Sequence, residues 1–229
     1  MERLERAWVA APELAVGYAT PSACGSAAAT CRTLAETRAS EEAMERLLCG
    51  LWWSGRLGAS ELSPSAVDAA TAALKSWRFS LPELPELIGL DVTGFPPVVV
   101  TIVTGSDGCA LCLGTAARDS WAAATRASVR EAMQMKLGLD VIRYRIAQGR
   151  RPKSREMSIL HRAGGLRRRD IQPLMPRRAE GPEQPEIRFS RQLWSEQKQN
   201  VWLAQCRVRM TTDPGSPVTG PWSRFALWT

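Results

Sequence analysis

The chain has 229 residues, 45% of them hydrophobic, and a formal charge of +7 from 30 lysines and arginines against 23 acids. That is material for one large domain or two small ones with a sizeable core, which excludes a disordered chain or a disulfide-stapled miniprotein. No apolar run reaches bilayer length, and MERLERAWVAAPELAV at the N-terminus mixes acids with bases and lacks a secretory apolar segment, so the chain is read as cytoplasmic and not membrane-bound.

In chain order, residues 1–20 read as a short helix and a strand. The tiny residues from Ser22 to Thr30 permit close backbone approach, to a neighbour or to a ligand. A helix follows from about Thr33 to Trp53, stopping near Gly55 and Gly58. Ser63-Pro64 supplies a serine cap and a first-position proline for a second helix, with Val67, Ala70, Leu74 and Trp77 as its apolar stripe. Pro82, Pro85 and Gly89 mark a connection, Leu90–Thr93 a short strand, and Gly94–Pro97 a turn. Val98–Thr104 is a β-branched run suited to a buried strand. Ser106-Asp107-Gly108 reads as a hairpin turn, with Cys109–Gly114 returning.

Asp119 or Ser120 caps a third helix, which Gly138 is expected to end near Lys136, leaving Val141–Ile146 as a strand or a helical continuation. Residues 147–185 are rich in Arg, Pro and Gly and read as loops with one short helix. Strands are expected at Glu186–Arg191 and Asn200–Thr211, and the tail ends on Phe225, Leu227 and Trp228, which should dock on the body. The expected organisation is a core over 1–146, a basic region over 147–185 and C-terminal strands over 186–229. The fold class is α+β: a mixed, mainly antiparallel sheet with helices packed on one side.

Two features invite chemistry from composition alone. Twelve cations from Arg143 to Arg178 face only Glu156 and Asp170, a block able to meet phosphate, an acidic peptide or a partner's acidic face, or simply to be a solvated loop. It has no nucleic-acid-binding motif and few interleaved aromatics, so nucleic acid is not the expected partner. Cys109 and Cys112 have CxxC spacing, but no second pair exists and His161 is the single histidine, which argues against zinc.

The helix from Thr33 carries the stronger signal. Glu42, Glu45 and Arg46 lie three and four positions apart and converge on one face, while Met44, Leu47, Leu48, Leu51 and Trp52 point into a core. Two carboxylates beside a guanidinium suit hard cations and phosphate oxygens. The same spacing is also that of a solvated face with an i,i+4 ion pair, and spacing alone favours that second reading.

Three stretches together resemble a known family. Gly25, Ala27, Ala35, Ala39, Glu42, Glu45, Arg46, Trp52 and Trp53 fall in one register; Asp91, Thr93, Pro97, Val98 and Val99 follow; then come Gly114, Ala116, Asp119, Ala124, Arg126 or Arg130, Ala127, Glu131 and Gln134. In order and spacing, over about residues 20–137, these resemble the YcaO family, ATP-dependent enzymes that activate backbone amides, most often to cyclise Cys, Ser or Thr into azolines in ribosomal peptide natural products. The resemblance implies ATP and Mg2+ as cofactors, Glu42 and Glu45 as metal ligands, Arg46 on phosphate, and Glu131 and Gln134 lining or bracing the nucleotide site. Packing polarity is an equal role for Gln134.

There are departures. Leu47 stands where the family usually has aspartate, and Leu34 where it has a glutamate eight positions before Glu42. On this resemblance the chain starts near the middle of a full member, so further carboxylates would come from another chain. Two functions follow. One is a component of a peptide-modification system, activating amides together with a companion subunit or a second copy and acting on a precursor peptide. The alternative is a degenerate scaffold subunit that binds precursor peptide or partner enzyme, with Trp194, Trp202, Trp222 and Trp228 as interface anchors or as a small C-terminal core.

Overall fold

A computed structural model of the chain describes residues 25–53, 57–60, 62–76, 85–104, 112–154, 156–157, 159–160 and 189–210. The expected 106–108 hairpin, Cys109, His161, the basic residues beyond 160 and the C-terminal tail lie outside these. The architecture is the α+β one expected, but the single sheet resolves into two antiparallel three-stranded sheets. They belong to two compact units: residues 1–57 with 181–229, and residues 58–180.

The first unit contains β1 (Ser26–Ala29), α1 (Arg32–Trp53), β5 (Phe189–Lys198) and β6 (Val201–Met210), with strand order β1-β6-β5. The tiny residues before α1 approach a neighbouring strand. Ser26 pairs with Gln205 and Ala29 with Trp202, and the Cys206 N–H donates to the Gly25 carbonyl at 2.7 Å. Gly25 has φ +71°, and a Cβ there would stand 2.2 Å from the Cys206 carbonyl oxygen, so conformation and space both demand glycine. Helix α1 lies on this sheet through alanines: Ala35 and Ala39 join Ala29, Ala204 and Cys206 in one buried cluster. Side chains this short, one helical turn apart, let the helix backbone come close to the strands. Further along α1, Met44, Leu48, Leu51 and Trp52 are buried as the apolar period requires, while Leu47 is only half-buried.

The second unit contains α2 (Pro64–Ser76), β2 (Glu86–Leu90), β3 (Val98–Val103), β4 (Cys112–Ala117) and α3 (Trp121–Ala147), with strand order β2-β3-β4. Every residue of β3 and β4 is buried. Helix α3 covers these two strands and α2 packs on α3. Gly114 makes that packing possible: a Cβ there would meet the Ser128 carbonyl oxygen at 2.0 Å and the Ala132 amide nitrogen at 2.4 Å. Beside it the hydroxyls of Thr101 and Ser128 share a buried hydrogen bond of 2.8 Å, satisfying two polar groups in an otherwise apolar layer.

Three expectations are corrected in this unit. The strand near residue 90 runs over Glu86–Leu90, so Gly89 lies within a strand, where a Cβ would touch the Trp121 ring at 3.0 Å. The buried stripe of α2 is Ala66, Ala69 and Ala70, with Val67 exposed, because α2 offers α3 its small face. Gly138 does not end α3. The helix continues to Ala147, anchored by buried Leu139 and Ile142, whose burial outweighs the roughly 1 kcal/mol cost of one interior glycine. Ser120 caps its start, accepting from the Ala123 N–H.

Candidate functional site

The acid–arginine group forms on the middle of α1. Arg46 Nε donates to Glu42 Oε1 at 2.9 Å, and Arg46 Nη2 lies 3.9 Å from Glu45 Oε1. The three differ in solvation. Glu45 is buried at 5% residue exposure, whereas the Glu42 side chain keeps 33% and that of Arg46 20%. Burial is the largest influence on the guanidinium and opposes its charge. The charges of Glu45 and Glu42, with the Glu42 hydrogen bond, more than offset it, so the Arg46 pKa is raised above the ordinary arginine value. The group is permanently charged, with one positive centre between two acids.

The guanidinium has donors beyond those engaged by Glu42. A guanidinium carries five N–H donors, and Glu42 takes only the one on Nε by hydrogen bond. Its Nη donors suit the oxygens of a phosphate. Among the described residues no three His, Cys, Asp or Glu side chains gather as a metal cage. Magnesium seldom uses such a cage. It commonly takes one or two carboxylates and fills an octahedron with phosphate oxygens and water. Glu42 and Glu45 therefore fit a magnesium ion that arrives on a polyphosphate. Leu34, 39% exposed, and half-buried Leu47 add nothing to such a shell.

Glu131 and Gln134 lie on α3, in the second unit. The half-buried Glu131 carboxylate accepts the Thr115 backbone N–H at 2.7 Å. Among the described strands β4 pairs with β3 alone, and this carboxylate takes an amide on its other edge. Gln134, Arg126 and Arg130 are exposed, as are Asp91 and Thr93 after β2.

A second polar group, not singled out in the sequence, lies in the first unit. Glu36 accepts from Arg32 Nε at 2.7 Å and from the Ser195 hydroxyl of β5 at 2.6 Å, while the Arg32 guanidinium stands 5.8 Å from the centroid of the Trp202 ring. The available signal was the i,i+4 pair Arg32–Glu36; its strand partners are too distant in sequence to be seen. The Ser195 hydrogen bond, followed by that from Arg32, holds the Glu36 pKa below its ordinary 4.5. A carboxylate with a depressed folded pKa contributes stability above its unfolded pKa and loses it as pH falls through the folded value. Thermal melts between about pH 7 and 3.5 should be flat above about pH 5 and fall below it. Glu36→Gln should flatten part of that acid limb; an unchanged limb would contradict this role.

The class defined by these observations is an α+β protein with two antiparallel sheets, each backed by a long helix, one helix bearing a part-buried acid–arginine group. The family profile described as YcaO cyclodehydratase, ATP- and Mg2+-binding, matches residues 5–210, and the chain belongs to the YcaO family. Three solved structures are similar to it. A heterocyclase in complex with substrate and cofactor matches at TM-score 0.55 and 17% identity, covering 81% of this chain and 28% of that one. The E. coli microcin synthetase McbBCD complex with pro-MccB17 bound matches at 0.53 and 16%, covering 80% and 53%. The heterocyclase TruD matches at 0.53 and 14%, covering 85% and 30%. Identities this low report a shared fold, and the chain spans only 28–53% of the length of these chains. No curated protein matches it. No helix among the described residues is long and apolar enough to cross a membrane.

Proposed function

We propose that this chain is a component of a ribosomal-peptide modification system that activates backbone amides with ATP, in azoline-forming cyclodehydration or a related reaction, together with a companion subunit. The carrying observation is the convergence of Glu42 and Glu45 on Arg46 within one turn of α1. Family membership and the heterocyclase fold support the same reading.

In this reading Glu42 and Glu45 hold magnesium, and Arg46 contacts phosphate through its Nη donors. The nucleotide, when bound, supplies the phosphoryl group that makes an amide-derived oxygen a leaving group. Arg46 also orients Glu42 through its Nε hydrogen bond. The family resemblance also assigns Glu131 and Gln134 to nucleotide binding.

The other reading is a scaffold subunit that binds precursor peptide or a partner enzyme without catalysis. Leucines at 34 and 47, where the family resemblance expects carboxylates, favour it.

Reconstitution distinguishes the two. With companion subunit, precursor peptide and ATP, the first reading expects ADP and phosphate to form with loss of one water per ring, and Glu42→Gln or Glu45→Gln to abolish ring formation. ATP with magnesium should bind only when the companion is present. Tight magnesium-dependent ATP binding by this chain alone would overturn the scaffold reading. Unchanged ring formation in both variants would overturn the catalytic one.

A further inference from the structure

The end of α3 builds a second charged site. Gly149, with φ +77°, lets the chain reverse: its N–H donates to the Ile146 carbonyl at 2.8 Å and the Arg150 N–H donates to the Arg145 carbonyl at 3.1 Å. This pair of bonds is a Schellman closure, and it folds the following residues back along the last helical turn. Arg145, Arg150, Arg151 and Lys153 are thereby gathered around a cleft of about 270 Å³ with Ile146 on its apolar wall. The cleft lies some eleven residues beyond Gln134, ~16 Å along α3.

The chain itself shows what the cleft accepts. Glu156 places its carboxylate there, taking the Lys153 backbone N–H at 2.8 Å and Arg145 Nη1 at 3.2 Å. A carboxylate, held by one amide and one guanidinium, is thus already accommodated. Among the described residues the side chains of Arg150, Arg151 and Lys153 have no ion-pair partner, and all three are exposed. One internal acid meets four cations, leaving a positive excess beside an apolar wall.

We propose that this cleft docks an acidic peptide segment, its carboxylates on Arg150, Arg151 and Lys153 and an intervening apolar side chain against Ile146. An acidic peptide suits the site better than a nucleic-acid strand, because the wall is aliphatic, no aromatic ring lines it among the described residues, and the acceptor already seated is a carboxylate. The inference does not depend on the nucleotide reading of Glu42 and Glu45.

The test uses the full chain and a fluorescein-labelled octapeptide alternating glutamate and leucine, read by fluorescence anisotropy. Binding should weaken about tenfold or more when salt is raised from about 0.05 to 0.3 M, since exposed charges are screened. Arg150→Glu with Arg151→Glu should weaken binding about tenfold, with an unchanged thermal melt. Arg38→Glu with Lys75→Glu, the same charge change at exposed sites elsewhere, should leave affinity within about twofold. Equal losses in the two double variants, or tighter binding of an oligothymidylate of matched charge than of the peptide, would overturn the proposal.

Discussion

Replacing Gly114 by alanine should cost about 3 kcal/mol, at the upper end of overpacking penalties, and lower the melting temperature by roughly 10 °C. The reason is that nothing around the new methyl group can yield. Its nearest neighbours would be backbone atoms of α3, the Ser128 carbonyl oxygen at 2.0 Å and the Ala132 nitrogen at 2.4 Å. Helix and strand would have to separate, opening the buried layer that includes Val100, Val129 and the Thr101–Ser128 hydrogen bond. Gly138, on the same helix, is the matched control. A Cβ there meets nothing within 4 Å. Gly138→Ala should stabilise the chain by roughly 0.5–1 kcal/mol through helix propensity. Opposite signs in paired thermal melts are the expected result; a neutral Gly114→Ala would mean that α3 does not lie on β4 as described.

The second large effect is expected at Arg46. Glu45 is almost fully enclosed, and Arg46 is a cation beside it. Arg46→Ala deprives a buried carboxylate of that charge and frees Glu42 from its hydrogen bond, which should cost about 1–3 kcal/mol. Arg46→Lys should recover part of this, since an ammonium restores the charge but not the fork that reaches both acids. Adding Glu45→Gln to Arg46→Ala should recover stability relative to Arg46→Ala alone. That non-additivity is the signature of a coupled group, and strictly additive losses would indicate three independent surface side chains.

Legibility in the sequence followed the range of the interaction. Helix α1, the Ser63-Pro64 start of α2 and strand β3 were readable because capping, apolar period and β-branching are local. The end of α3 was misread because Gly138 is a local stop signal, whereas the burial of Leu139 and Ile142 that carries the helix past it comes from tertiary packing. Strand β2 was placed a few residues too late for the same reason: Gly89 reads as a breaker until the Trp121 ring occupies its face. The separation into two sheets could not be foreseen, since β1 pairs with β6 from the far end of the chain. At the candidate site, the Glu42–Arg46 pair was visible as an i,i+4 spacing. The unequal burial of Glu42 and Glu45 was not, nor was the Glu36–Ser195 hydrogen bond, which spans 159 positions.

The most direct measurement is calorimetric titration of ATP, with magnesium present, into the chain assembled with its companion subunit, comparing wild type with Glu42→Gln and Glu45→Gln. Two acids that hold a phosphate-borne cation predict at least a roughly tenfold loss of affinity in each variant, with the loss disappearing when magnesium is omitted. Equal affinity in all three proteins would show that the acid–arginine group of α1 is structural and that the nucleotide, if bound at all, is held elsewhere.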